Sequence, residues 1–317
     1  MYSKVKLKVL NYPNFKTVLF PFCCLPANFK FILKSDILIR FFFSFFLLIS
    51  CQPQSNNGPQ ATSSVEGVLS DYQLVWSDEF DEDGQPDASK WSYDLGDGCP
   101  RICGWGNNEL EYYTNSLKNA RVEDGHLIIE ALHNPQAQRP YTSARLVTKG
   151  KGDWTYGKIE VRSKNPSGRG TWPAVWMLPT HNAYGQWPKS GEIDIMEHVG
   201  FVEDTVYGTV HTEKYNHGIG TQKGGQLIVP TNEQDFHTYS IEWSEDKIDF
   251  LIDDHNYFTF RNDYKTYGEW PFDKDFHLLL NLAVGGNWGG KEGVDTSIWP
   301  QQMVVDYVRV YKKEDAD

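Results

Sequence analysis

Glu192, Asp194 and Glu197 lie in the stretch Gly191-Glu192-Ile193-Asp194-Ile195-Met196-Glu197-His198, which contains no Lys or Arg. Successive side chains of a strand point to opposite faces, so Glu192 and Asp194 share one face and Ile193 and Ile195 the other. Such a pair of acids by itself is the usual look of a half-buried strand that shows its carboxylates to water. Two features set this stretch apart. Repulsion among the acids has no local cation to offset it. Glu197 also has the wrong parity to join the other two on a regular strand, and one extra residue, a β-bulge near Met196, returns it to their face. Carboxyls gathered in this way are equipped for nucleophilic and acid/base catalysis.

With the bulge in place, Glu192 and Glu197 stand four strand steps apart, roughly 13 Å between Cα atoms. Two Glu side chains leaning together can bring their carboxyls to about 5–5.5 Å. At that spacing one attacks an anomeric carbon while the other protonates the leaving oxygen, with retention of configuration. Asp194, between them, can hydrogen-bond the attacking acid and help hold the other protonated by like-charge repulsion.

Glu192-Ile193-Asp194-Ile195-Met196-Glu197 resembles the active-site strand of glycoside hydrolase family 16, in the bulged form of its laminarinases. Trp172-Pro173-Ala174-Val175-Trp176-Met177-Leu178-Pro179 is similar to the segment that precedes this strand in β-1,3-glucanases. Trp105-Gly106-Asn107-Asn108-Glu109, Tyr207-Gly208-Thr209-Val210-His211 and Gly286-Asn287-Trp288-Gly289-Gly290 are similar to further laminarinase blocks, in family order. The resemblance spans most of residues 72–313. It implies an open-clefted β-jelly-roll that cuts β-glucan internally with retention, without a catalytic cofactor. Glu192 matches the nucleophile, Asp194 the assisting acid and Glu197 the acid/base. Trp172 and Trp176, four apart on a strand, share a face and could stack on successive sugars or pack in the core. His211 could hydrogen-bond near the acids. Asn107, Asn108, Arg145 and Asn287 offer hydrogen bonds to hydroxyls, or are plain surface polarity. Trp105 and Trp288 sit in Gly-flanked loops, where an exposed Trp costs solubility unless it binds something. The family often carries a Ca²⁺ far from the cleft; Glu79 and Gly125 match positions that give backbone carbonyls and Asp306 one that gives a side-chain oxygen, a hard-oxygen set suited to a stabilising ion.

The elements that must position these residues are strands. Tyr239, Ile241 and Trp243 alternate with polar neighbours, the turn Ser244-Glu245-Asp246-Lys247 follows, and Ile248, Phe250 and Ile252 resume the alternation, as in a hairpin with one buried face. Residues 158–162 repeat the pattern and residues 304–311 read as a closing strand. Long runs with a 3.6-residue period are absent, and turn signals such as Asp124-Gly125 and Gly285-Gly286 recur. The expected fold is all-β: a sandwich of jelly-roll type, two antiparallel sheets with an open substrate cleft. Neither a second domain nor an internal repeat is visible.

Residues 37–50 are apolar but for one Arg and two Ser; the unbroken run is too short for a bilayer span of about 20 residues and fits a secretory signal. Leu48-Ile49-Ser50-Cys51 resembles a lipobox. The reading is a lipoprotein-type signal over residues 1–50, a flexible linker over 51–70 and a catalytic domain over 71–317. Membrane association then comes only through lipid on Cys51, which makes the protein a monomeric lipoprotein of the periplasm or cell surface, with the outer membrane as one site. Cys99 and Cys103 remain for a short-loop disulfide in an oxidising setting. The chain has 317 residues, with 30 Lys and Arg against 42 Asp and Glu. Seven of those bases but only Asp36 among the acids precede residue 51, so residues 51–317 carry net −18. Such a body repels phosphate backbones, so nucleic acid is not expected as a partner and phosphorylated or sulfated substrates are disfavoured, while the β-glucan substrate is what the family resemblance implies. All eleven Trp lie between Trp76 and Trp299, enough for a thick aromatic core or a cleft for sugar faces. Zinc-type Cys/His spacing, a Ser/His/Asp motif and a phosphate loop are absent. The acids do not encode linkage, so mixed-linkage β-1,3-1,4-glucan or an agar-type galactan stays open as substrate. A non-catalytic glycan-binding module would normally lack one of the acids.

Overall fold

The computed structural model describes residues 72–313, so the signal, the linker and Cys51 lie outside the described residues. The strands run β1 (Tyr72–Asp78), β2 (Ser92–Tyr93), β3 (Glu111–Tyr113), β4 (Ala120–Glu123), β5 (His126–Ala131) and β6 (Tyr141–Ser143). Then come β7 (Arg145–Val147), β8 (Asp153–Trp154), β9 (Gly157–Lys164), β10 (Thr171–Pro179), β11 (Glu192–Glu197) and β12 (Thr205–His211). The last six are β13 (Lys223–Ile228), β14 (His237–Trp243), β15 (Lys247–Ile252), β16 (His255–Arg261), β17 (Phe276–Val284) and β18 (Gln301–Lys313). Helix among the described residues is confined to two short 3₁₀ turns, Cys103–Gly106 and His217–Ile219.

Two large antiparallel sheets form an open sandwich. One has the order β16-β15-β14-β9-β18-β5-β4, with β1 also paired to β18. The other has the order β13-β12-β11-β10-β17-β7-β2, with β8 also paired to β17, and β3 and β6 form a small parallel pair aside. Alternation decides the inner face. Tyr239, Ile241 and Trp243 of β14 pair with Ile252, Phe250 and Ile248 of β15, and all six are buried. From the second sheet Ile193, Ile195 and Met196 of β11 and Val206 and Val210 of β12 enter the same core. Trp243 meets Phe276 of β17 edge-on at 5.5 Å between ring centroids, a contact between the sheets.

Local chemistry fixes the turns. Asp124 and Gly125 both have positive φ, 53° and 75°, as a tight turn between β4 and β5 requires. Period two is lost in β17, which is buried along its whole length, and is weak in β9, where Lys158 and Glu160 are also buried. Their ion pair at 3.0 Å and the Tyr307 hydroxyl donated to Glu160 keep them satisfied there.

Candidate active site

The decisive irregularity is in β11. Against β10 the partners are Met177–Ile193 and Trp176–Asp194, then Val175–Met196 and Ala174–Glu197, which passes over Ile195. Against β12, Asp194 pairs Thr209 and Glu197 pairs Tyr207, so Ile195 and Met196 of β11 stand against Gly208 alone. This is a bulge at Ile195–Met196, and both side chains go into the core. The extra residue restores the phase of Glu197, so the three acids share the face turned away from the core.

Registers then lay out the cleft floor, because directly paired residues of neighbouring strands point the same way. One row runs Gln226, Tyr207, Glu197, Ala174, Asn281, Arg145 across β13, β12, β11, β10, β17 and β7. The next runs Gly224, Thr209, Asp194, Trp176, Leu279, Val147. His211 stands opposite Glu192.

Each acid has its own surroundings. Trp187 Nε1 donates to Glu192 Oε2 at 3.0 Å, and His211 Nε2 is 3.7 Å from Glu192 Oε1. Trp172 Nε1 donates to Glu197 Oε1 at 3.1 Å. Asp194 is 3% exposed, its Oδ2 has no hydrogen-bond partner, and His211 Nε2 lies 3.3 Å away without bonding alignment. Burial pushes Glu192 and Glu197 up to about 8, with the charge of Asp194 adding to each; His211 opposes this in both, as do the Trp187 and Trp172 N–H groups on their own partners. Burial lifts Asp194 well above the carboxylate range. Protons are therefore held in this cluster near neutral pH, as acid catalysis requires.

The remaining residues singled out from sequence build the walls. Trp288 packs edge-on to Trp172 at 5.7 Å and to Tyr207 at 5.0 Å. Gly289 permits this loop's close approach, since a Cβ there would lie 2.7 Å from Trp172 Cβ. Asn287 N–H donates to the Asn107 carbonyl at 2.7 Å, and Asn108 Nδ2 to Asn287 Oδ1 at 2.8 Å, which ties the two loops together. The Asn107 amide donates inward, to Glu109 at 3.3 Å. Arg145, expected to reach for hydroxyls, is instead buried with its guanidinium 4.6 Å from the Trp105 ring and 4.7 Å from the Trp176 ring. Trp176 donates to Asn281 Oδ1 at 2.7 Å, and Asn281 in turn to the Tyr113 hydroxyl at 3.1 Å. Trp105 donates to the Gly96 carbonyl at 3.2 Å and follows, by two residues, the small ring closed by the Cys99–Cys103 disulfide, S–S 2.04 Å.

Two parts of the site escaped sequence reasoning. Trp187 is 42% exposed and holds Glu192; its setting, Gly-Gln-Trp-Pro-Lys-Ser-Gly, meets the same test of an aromatic in a Gly-flanked loop that marked Trp105 and Trp288. Behind Trp176 lies a buried acidic pair. Burial raises Glu109 and lifts Glu111 well above the ordinary range, the Glu109 charge adding to the latter. The alternation Glu109-Leu110-Glu111 was its signal. Glu79, Gly125 and Asp306 lie with the other sheet, next to β1, in the β4–β5 turn and on β18.

The model of the glycosyl hydrolases family 16 matches residues 105–309. This chain belongs to glycosyl hydrolase family 16. It is 57% identical over 249 residues to a β-glucanase of Rhodothermus marinus, covering 76% of this chain and 85% of that one. Among solved structures it is similar to the laminarinase from Rhodothermus marinus, with 55% identity, a TM-score of 0.74, and coverage of 77% of this chain and 98% of that one. It is also similar to a non-specific endo-β-1,3(4)-glucanase of the family, with 46% identity, a TM-score of 0.73, and coverage of 77% and 92%. The family-16 chain thus brings its three acids, the loop tryptophans Trp105, Trp187 and Trp288 and the buried Arg145 to one open sheet face.

Proposed function

We propose that the protein is an exported endo-β-1,3-glucanase that works by double displacement. The observation that carries this is the bulge at Ile195–Met196, which sets Glu192, Asp194 and Glu197 on one aromatic-walled sheet face. In the first step a Glu192 oxygen bonds to the anomeric carbon, the glycosidic C–O bond breaks, and the Glu197 proton passes to the leaving oxygen. In the second, Glu197 takes a proton from water as the water oxygen bonds to that carbon and Glu192 departs. The division of labour follows the family motif, since the two acids have like surroundings: Glu192 accepts the Trp187 N–H, Glu197 accepts the Trp172 N–H, and His211 favours the charge of both. Asp194 keeps a proton nearby through repulsion. Trp172, Trp288, Trp176 and Trp105 offer flat faces to sugar rings.

Glu192→Gln and Glu197→Gln variants test the assignment; each should lose laminarin hydrolysis by at least about a hundredfold while folded, the loss expected for a missing acid or base. Azide with Glu192→Ala should give a glycosyl azide of inverted configuration, and with Glu197→Ala a retained one. Wild-type turnover in either Gln variant would overturn the reading. A second reading, cleavage of mixed-linkage glucan as well, is favoured by the likeness to the non-specific endo-β-1,3(4)-glucanase. Products from laminarin, lichenan and agarose separate the two readings and the galactan alternative.

A structural Ca²⁺ at Glu79, Gly125 and Asp306 is part of the proposal. β18, which carries Asp306, pairs with both β1 and β5, so it can bring these oxygens together. The Glu79 carboxylate is engaged by Arg309 at 2.8 and 3.0 Å, which leaves its backbone oxygen as the donor. The Asp306 carboxylate is paired with Arg162 and lies 3.7 Å from His126 Nε2, so the ion must draw it away from Arg162. Calcium should raise the melting temperature of EDTA-treated protein, and Asp306→Ala should abolish the rise. Export and lipid attachment at Cys51 are tested by Cys51→Ser, which should leave the membrane fraction with unchanged turnover. A β-glucan chain is the expected partner, bound by a monomer.

A further inference from the structure

Glu192, Asp194 and His211 each present one donor atom, and the three atoms lie within 4.8 Å of one another. His211 Nε2 is 3.3 Å from Asp194 Oδ2 and 3.7 Å from Glu192 Oε1. A tetrahedral ion with bonds of about 2.0–2.2 Å spaces its ligands about 3.3–3.6 Å apart, so the His211–Asp194 edge already fits and the His211–Glu192 edge is only slightly long. The third closes by a modest swing of Glu192, whose side chain is 15% exposed at the cleft. The Asp194 oxygen facing this point is buried and without a hydrogen-bond partner. Trp187 occupies only Oε2 of Glu192, which leaves Oε1, the atom nearer His211, free.

We propose that this cluster is a binding site for a borderline transition-metal dication, with Zn²⁺ as its type, and that the ion is a reversible inhibitor competing with glucan. An imidazole with two carboxylates suits Zn²⁺, Ni²⁺ or Cu²⁺ better than Ca²⁺ or Mg²⁺, which favour oxygen alone. The open cleft leaves water the fourth position. His211 Nδ1 is buried with no acceptor, so the hydrogen bond that strengthens resident metal sites is missing. That lack costs about 10–100-fold in affinity and makes the ion a ligand in exchange, not a permanent constituent. The ion ties up the carboxylate that attacks the sugar, so ion and substrate exclude each other. This inhibition rests on the proposed role of Glu192, whereas the binding itself does not.

The experiment uses chelator-free, phosphate-free buffer. Calorimetry with Zn²⁺ should show one saturable site in the wild type and in Glu197→Gln, whose altered residue is outside the ligand set. His211→Gln and Asp194→Asn, each checked by circular dichroism and melting, should bind at least about tenfold more weakly. Co²⁺ should give the visible absorption of a low-symmetry site in the wild type and lose it in His211→Gln. On laminarin, free Zn²⁺ at ten times its Kd should lower kcat/KM about elevenfold by mass action, spare kcat, and be reversed by EDTA. Wild-type Zn²⁺ affinity in a folded His211→Gln or Asp194→Asn variant would overturn the site. Inhibition that laminarin does not relieve would overturn the competition. Metal-free wild type without laminarin hydrolysis would instead count against the glucanase reading and leave the binding result standing.

Discussion

Glu197→Gln should make the protein more stable as well as inactive, and by an amount that depends on pH. Glu197 is held at about 8 against an ordinary 4.5, mainly by burial and next by Asp194. At 1.36 kcal/mol per tenfold change, ionising it in the folded chain costs about 5 kcal/mol more than in the unfolded one. The sign follows from proton counts. Between about 4.5 and 8 the folded state binds more protons than the unfolded state, so wild-type stability is complete below that window and falls as pH rises through it. Gln does not titrate, and its amide oxygen can still accept the Trp172 N–H. The variant should therefore match the wild type near pH 4.5 and gain steadily up to pH 8–9. Relaxation and the coupled acids absorb part of the cost, so a gain of about 2–5 kcal/mol at pH 9 is the expectation. For a domain of this size each kcal/mol moves the melting temperature by about 2–4 °C, which puts the shift near 10 °C. Differential scanning calorimetry across pH 4.5–9 measures it directly. A difference that stays constant across this range would refute the idea that the acid is held protonated by burial, whatever the variant's activity.

Trp187→Phe removes an N–H that favours ionised Glu192, so the acidic limb of the kcat/KM profile should move to higher pH while the alkaline limb stays; a pH series on laminarin shows it. Deleting Met196 should dissolve the bulge and keep the acids on one face, giving a folded enzyme with reduced activity, at a cost of about 2–5 kcal/mol for the lost core side chain. A folded deletion variant as inactive as Glu192→Gln would count against the bulge having only this task. Replacing Cys99 and Cys103 by Ser opens a small ring worth roughly 2 kcal/mol and loosens the loop bearing Trp105. Steady-state kinetics should then show KM rising more than kcat falls.

The parts of this molecule that could be read in advance are those whose information is local. Period two marks the strands because each residue's face is set by its own parity, and in β14 and β15 it puts Tyr239, Ile241, Trp243, Ile248, Phe250 and Ile252 together in the core. The bulge was readable for a related reason: three acids seeking one face leave a parity error at Glu197 that only an extra residue can repair. Cleft composition is different, since a row such as Tyr207, Glu197, Ala174, Asn281, Arg145 exists only once five strands are in register. Asn281 shows the difficulty. It sits in Phe276–Val284, a run buried along its whole length that reads as core, and nothing local distinguishes it as the group that anchors Trp176. Arg145 reads from sequence as a polar residue with hydrogen bonds to offer hydroxyls, and is buried. The Trp105 and Trp176 rings, 4.6 and 4.7 Å from its guanidinium, come from a loop and a strand distant in sequence, and with Asp94 3.1 Å from its Nε they give the charge a place inside the aromatic wall. Catalytic acids announce themselves by the repulsion they tolerate, whereas the residues that hold them and their walls in place become visible only through their partners.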